Sequence, residues 1–555
     1  MSTGAATAEI PVSAGAHLAA VTALRGELLA EVADAQGVCV RPVLATVYDT
    51  VTKTEQLVVI PCGSTQASKC SACADKARRL RMAQCREGWH LDDEPQRRET
   101  NSSPEDGDDD DGDDDDGDDE GGDEPETGDE ESRRVRSTRR RQDAVDLPRV
   151  PMDQRTVGAK FIGRDGRTYR PSMFLTVTLG SYGRVRDDGT PVHPKTYDYR
   201  RAALDALHFA KLIDRLMQNL RRCAGFKVQY FAAIEPQRRL APHLHAALRG
   251  VLPRATIRQV VAATYHQVWW PPFSEVVYDN TQLPVWEDAH DCYVDGTTGE
   301  LLPTWQQALD RLDAELDADP ATKPAHVVRF GRQLDAQGII AANGQADRRI
   351  GYLTKYLGKS MRDPMGDIEE MSPRRRAHLD RLHEEVRYLP CTPKCANWLR
   401  YGVQPKEARS GMVAGTCPNK AHDAEHLGCG GRRVLVSRQW TGKTLTEHRA
   451  DRADVVRQVL ALAGFEVDDH DRLSAAVLTD EGLPRYEWRI ASPNSVDMPS
   501  YRAVICSTIS QALEWRKQYE EAKKRAGPIL DHLSAIGSPA GLGREGCRDG
   551  EAMDR

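Results

Sequence analysis

Hydrophobic positions change their period several times along the chain, and each change marks an element. Leu18, Val21, Leu24, Leu28 and Leu29 recur at helical spacing and predict an amphipathic helix over 15–36. Apolar runs at 42–47 and 57–60 predict two short strands, and a basic stretch over 74–87 reads as a helix. After a long polar gap the pattern resumes at Met173-Phe-Leu-Thr-Val-Thr-Leu179, whose β-branched and aromatic residues suit a central strand. Leu204, Leu207, Leu212, Leu216 and Leu220 predict one helix over 200–222, and strands are expected at 228–234 and 242–248. Strand, helix and paired strands describe an α+β layer, a sheet with helices on one face. Residues 271–345 are rich in Pro, Asp and Gly, hold one amphipathic helix at 305–316 and read as an insertion. A helix over 348–360 follows. Beyond 451 the pattern gives two or three helices, a short β region at 486–490 and a polar tail from 537.

Charge changes the picture at one place. The formal net charge of −8 argues against a nucleic-acid partner, but 19 of the 84 acidic residues lie between Glu105 and Glu131, where there is no Lys or Arg. The rest of the chain is therefore net basic. Like charges interleaved with Gly cannot collapse on themselves, so the tract reads as a solvated, flexible linker. A second reading is an electrostatic mimic of DNA that competes for the binding groove. Arg133, Arg134, Arg136, Arg139, Arg140 and Arg141 follow it and could hold the tract or bind phosphate. No apolar run reaches the length of a membrane span and the N-terminus lacks a secretory pattern, so a cytoplasmic location is expected. Thirteen Cys in that setting point to metal ligation or free thiols.

The chemistry concentrates in two segments. In His243-Leu244-His245 the imidazoles are two apart on a strand and share one face, while Leu244, Ala246 and Leu248 enter the core on the other. Glu235 precedes them on the expected neighbouring strand, and the short connection 236–242 can fold its carboxylate back toward them. Two His and one carboxylate would hold Mn2+ or Mg2+ with positions left for phosphate oxygens and water. The plainer alternative is two surface histidines and a solvated strand-end carboxylate. In Tyr352-Leu-Thr-Lys355-Tyr356-Leu-Gly-Lys359, four functional side chains fall at i, i+3, i+4 and i+7 on one stripe, while Ile350, Leu353 and Leu357 form a separate apolar stripe. Ammonium groups beside a phenol lower its pKa and steady a phosphate. The implied reaction is in-line attack by a tyrosine oxygen on a phosphodiester, leaving a 5′-phosphotyrosine and a free 3′-OH.

These segments resemble the three motifs of HUH rolling-circle replication initiators, most closely those of actinobacterial plasmids. Phe174-Leu-Thr-Val-Thr-Leu179 is similar to the first, Glu235-Pro-Gln-Arg-Arg-Leu-Ala-Pro-His-Leu-His245 to the second and Tyr352-Leu-Thr-Lys-Tyr-Leu-Gly-Lys359 to the third. The likeness extends to Cys62 through Cys73 and to Cys395-Ala-Asn-Trp-Leu-Arg-Tyr-Gly-Val-Gln-Pro405. It implies an HUH endonuclease domain that nicks origin DNA and leaves a primer for a host polymerase. His243 and His245 would be metal ligands, Tyr356 the principal nucleophile, and Tyr352 a second nucleophile or a helper. Lys359 and Lys355 would contact phosphate. The acidic tract and the lack of a Cys-rich segment after the first motif depart from close relatives.

Cys39, Cys62, Cys70 and Cys73 could form a tetrahedral zinc site in a ribbon-like module, with Cys85 or His90 as substitutes for Cys39. Cys391, Cys395, Cys417 and His422 suggest a second zinc site, with His426 and Cys429 as further donors. Buried thiols are the alternative for both. Gly442-Lys443-Thr444 mimics a phosphate-binding loop, but Ser437 stands where that loop needs Gly, so a helicase must come from the host. The expected organisation is 1–91 for the helix and zinc module, 92–150 for the linker and 151–360 for the endonuclease with its insertion. A Cys/His module at 361–450 and a helical region at 451–555 complete it. An HUH transposase, a conjugative relaxase, or a non-catalytic zinc-containing DNA-binding regulator are the rival readings.

Overall fold

The structure is a computed structural model that describes residues 26–89, 91, 93–95, 147–164, 166, 168–279, 282–340, 345–355, 361, 371–430, 433–462, 464, 477–479, 481–491 and 499–537. The elements begin with α1 (Gly26–Ala35), β1 (Val43–Asp49), β2 (Thr54–Ile60), α2 (Ser71–Trp89), β3 (Phe161–Ile162), β4 (Thr168–Tyr169) and β5 (Ser172–Leu179). Next come α3 (Tyr199–Leu207), α4 (Phe209–Ala224), β6 (Tyr230–Pro236), β7 (Pro242–Leu248), α5 (Arg254–Ala263), β8 (Tyr265–Val268), β9 (Val285–Glu287) and β10 (Cys292–Val294). The order closes with α6 (Trp305–Ala318), β11 (His326–Ile339), α7 (Gln345–Lys355), α8 (Pro373–Tyr388), β12 (Val434–Val436), α9 (Leu445–Leu462), β13 (Tyr486–Ile490) and α10 (Tyr501–Gly537). Contacts divide the chain into two compact units, Met1–Ala77 with Thr444–Arg555, and Arg78–Lys443.

The second unit is built on a six-stranded sheet of order β12-β6-β7-β5-β11-β8, antiparallel throughout. Alternation sorts the strand residues into two faces. Met173, Leu175, Val177, Leu244, Ala246 and Leu248 point to one, where they are buried with Leu212, Ile213 and Leu216 of α4 and Ile257 and Val260 of α5. Phe174, Phe231, Ala233 and Ala247 point to the other, against Ile350 and Leu353 of α7, Cys85 and Trp89 of α2, and Trp440. The expected α+β sheet is present, but helices cover both faces rather than one. The tyrosine-bearing helix lies on the second face.

Two further expectations change. The single helix over 200–222 is broken at His208, whose φ of −103° and ψ of 9° interrupt α3 and α4; the leucines keep helical phase across the break, so the pattern hid it. Asp198 caps α3 by accepting the Arg201 N–H at 3.0 Å, and Gly225 ends α4 in the left-handed region that favours glycine. The stretch 271–345, read as an insertion, supplies β11, which pairs with β5 next to the centre of the sheet. Its register shifts between Phe330 and Leu334, and there Gly331 is required, because a Cβ would sit 2.8 Å from the Leu179 carbonyl oxygen.

In the first unit β13 pairs antiparallel with β1, which pairs in turn with β2. Arg485 and Asp49 close that pairing with Nη2 2.9 Å from Oδ2. Leu29, Ala33 and Val38 pack with Ile505, Cys506 and Ile509 of α10. Leu29 is buried as expected, whereas Leu28, placed on the same apolar stripe, is exposed; Leu18, Val21 and Leu24 lie outside the described residues. Among the described residues no helix is long and apolar enough to cross a membrane.

Candidate active site

The register of three strands assembles the site. On β7, His243 faces Glu235 of β6 and Thr178 of β5, and His245 faces Ala233 and Thr176. The turn 237–241 between β6 and β7 is tight, with the Gln237 N–H donating to the Ala241 carbonyl at 2.9 Å. The Glu235 carboxylate therefore meets both rings, with Oε2 2.8 Å from His245 Nε2 and 3.3 Å from His243 Nε2. Burial works to raise the Glu235 pKa, but the two imidazoles outweigh it and bring the carboxyl down to about 2. Burial also lowers the pKa of His245, against the opposing effect of Glu235.

His245 is held from three sides. Thr176 Oγ1 lies 2.8 Å from Nδ1, the Phe174 ring stacks at 5.8 Å, and the Tyr352 ring meets it edge-on at 4.9 Å. The Thr176 contact occupies Nδ1 and leaves Nε2 for the site, 3.4 Å from the Tyr352 hydroxyl. Ile350 and Leu353 are buried, while Tyr352 and Lys355 are exposed, as the two helical stripes predict. Tyr356 and Lys359 lie outside the described residues. Arg349 covers Phe174, with its guanidinium carbon 4.9 Å from the ring centre, and donates to Gln337 of β11. Thr176, Phe174 and Arg349 were not singled out as site residues from sequence. The odd-even alternation within the first motif puts Phe174 and Thr176 on one face, but only the strand pairing reveals that this is the face of the histidines.

The residues fit a divalent cation. Glu235, His243 and His245 each offer a donor, and these lie within 4.8 Å of one another. Both ring nitrogens of His243 are buried without a hydrogen bond; the 3.3 Å approach of Nε2 to Glu235 is close in distance but not aligned as one. A buried imidazole without a hydrogen bond, beside a carboxylate, is a donor chemically suited to a divalent cation.

Two further clusters match the expected donor sets. Cys39, Cys62, Cys70 and Cys73 converge in the first unit, with the Cys62 N–H 3.2 Å from the Cys39 sulfur. Cys39 precedes the β1–β2 hairpin, Cys62 follows it, and Cys70 and Cys73 flank the start of α2. In the second unit Cys391, Cys395, Cys417 and His422 converge. His422 Nε2 is 3.5 Å from the Cys395 sulfur, and its Nδ1 is 2.7 Å from the Val386 carbonyl oxygen, which makes Nδ1 the donor. Burial works to lower the His422 pKa, but Cys395 and Cys417 raise it to about 10, and Cys417 is pushed down by Cys391 and Cys395. Either cluster could hold an ion such as Zn2+. Cys85 is fully buried in the apolar core, Cys429 lies against the Ala206 carbonyl, and His426 is not among the clustered donors; His90 lies outside the described residues. Lys443, the lysine of the apparent phosphate loop, is bound by Glu87 at 2.6 Å. The acidic tract and the arginines after it lie outside the described residues.

The chain belongs to the RepSA family of replication initiators, since residues 26–511 match the family model described as replication initiator protein, pSAM2. No curated protein and no solved structure matches it.

Proposed function

We propose that this initiator nicks one strand of origin DNA by tyrosine attack at an HUH-type site in which Glu235, His243 and His245 hold Mn2+ or Mg2+. The observation that carries this reading is the Tyr352 hydroxyl, 3.4 Å from His245 Nε2 and so beside the three convergent donors. The bound cation would polarise the phosphodiester. Thr176 fixes the His245 ring, Phe174 backs it, and the apolar stripe of α7 holds Tyr352 over the sheet. The phenol gives up its proton, its oxygen bonds to phosphorus, and the bond to the 3′ oxygen breaks. That oxygen takes a proton and becomes the 3′-OH primer for a host polymerase, with a host helicase opening the duplex. The ester energy is kept in the 5′-phosphotyrosine, so the same site can rejoin strands. Lys355 and Lys359 steady the phosphate. Zn2+ occupies the two Cys-containing clusters, and the first of them forms a ribbon-like module that assists DNA recognition.

The test is cleavage of a labelled single strand from the origin of the protein's own element in Mn2+, comparing wild type with Tyr352→Phe, Tyr356→Phe and His243→Ala. Wild type is expected to form a covalent adduct, and His243→Ala to lose it. Loss in Tyr356→Phe alone makes Tyr356 the nucleophile; loss in Tyr352→Phe alone assigns the attack to Tyr352. A wild type that binds this DNA without nick or adduct sinks the reading and leaves a DNA-binding regulator.

A further inference from the structure

The uncovered rim of the six-stranded sheet carries a basic feature. β11 pairs with β8 only over His326–Arg329, so from Leu334 onward its outer side has no strand beside it among the described residues. A cavity of about 130 Å3 opens there, lined by Arg254 and Arg258 of α5 and by Leu334, Asp335, Ala336 and Gln337 of β11. The two arginines are one helical turn apart and exposed, and neither guanidinium has a hydrogen bond or ion pair among the described residues. Asp335 is the one acid of the lining, and its carboxylate accepts the Gln337 side-chain N–H at 2.6 Å. The lining keeps a net positive charge and two guanidinium forks, the shape that fits phosphate oxygens in pairs.

The cavity stands at the edge of the sheet that carries the candidate active site. Asp335 lies opposite Thr176 in the β11–β5 register, and Gln337 opposite Phe174, the two residues that hold His245. Two strand spacings, about 10 Å, separate β11 from the histidine strand; α5 packs on the face opposite His245, so a single strand of several nucleotides passes around the open β11 edge to link the two. We propose that Arg254 and Arg258 bind the phosphate backbone of the DNA single strand running to or from the site. This rests on the nicking reading for the direction of the strand, but not for the binding itself.

The experiment measures binding of the full chain to a labelled mixed-sequence single strand over a salt series, for wild type, R254Q/R258Q and R254K/R258K. Each phosphate contact contributes about 0.7 to the slope of log K against log salt on a single strand, so the Gln pair is expected to lose about 1.4. The Lys pair should keep most of the slope, which separates charge from folding. An unchanged slope in the Gln pair overturns the inference, as does a slope lost only on a duplex probe. Nicking is scored in parallel. A wild type that binds but never nicks, with the slope still lost in the Gln pair, defeats the proposed reaction and leaves the phosphate site standing.

Discussion

The two Cys-containing clusters offer similar donors in very different surroundings. Cys39, Cys70 and Cys73 are buried with little more than Ala72 and the partly buried Val40 and Cys62. Cys395, by contrast, sits in the largest core of the second unit, beside Trp398, Leu389, Val386 and Leu427, and the His422 ring is preset by the Val386 carbonyl. On the zinc reading, four donors surrounded by little apolar area would draw their folding energy from the ion, whereas four donors embedded in a core would add an ion to structure that burial already supports. The same ligand chemistry would thus supplement a small core in one place, that of Leu29 and Ile505, and pin a large one in the other.

The sharpest way to break that contrast is Cys73→Ser. Structural zinc supplies on the order of 10 kcal/mol, comparable with the whole net stability of a domain, so on the zinc reading the first unit is expected to lose its protection from proteolysis together with the metal it binds. A unit that stays protected would end the comparison. Cys417→Ser should cost less, on the order of 3 kcal/mol, and leave the second unit with a cooperative urea transition at a lower midpoint. Acid tests the burial of the second unit by another route. His378 of α8 lies against Tyr199, 3.0 Å from its hydroxyl, and burial lowers its pKa to about 4. The folded state disfavours its protonated form, so its contribution is complete above about pH 6.5 and is lost as pH falls toward 4, up to about 3 kcal/mol. The difference in unfolding free energy between wild type and His378→Gln, measured across that window, should follow this curve; a flat difference removes His378 as the cause. The smallest effect concerns the ring-presetting device that His422 shares with His245. Thr176→Val should weaken Mn2+ binding by roughly 10- to 100-fold, read by electron paramagnetic resonance, with Thr176→Ser restoring most of it.

Much of the site was legible because its signals are local. Glu235, His243 and His245 are read from alternation across one short hairpin; spacing brought the Cys sets into view but left Cys85, His90, His426 and Cys429 as alternative donors, and only folding brings the four of each cluster together. The stripes of α7 predicted that Ile350 and Leu353 would be covered and Tyr352 would not. Long-range pairing left no such trace. β11 alternates between half-buried and exposed residues over most of its length, a pattern that reads as loop until β5 is placed beside it. The partnership of β13 with β1 was equally hidden, because Glu487 and Arg489 carry nothing that names Tyr48 and Thr46 as neighbours. Helices on the second face escaped notice for a related reason: Phe174, Phe231 and Ala247 come from three strands and form one apolar surface only after pairing.

That late pairing has a consequence for synthesis. β1 and β2 leave the ribosome early, but β1 waits for β13, which emerges only after every strand of the second unit has been made. Until then the hairpin has an open edge, with Asp49 lacking Arg485. The second unit can finish folding during translation while the first cannot. Premature termination between residues 443 and 486 would yield chains in which the proposed nicking centre is built but the first Cys cluster has no completed sheet beside it.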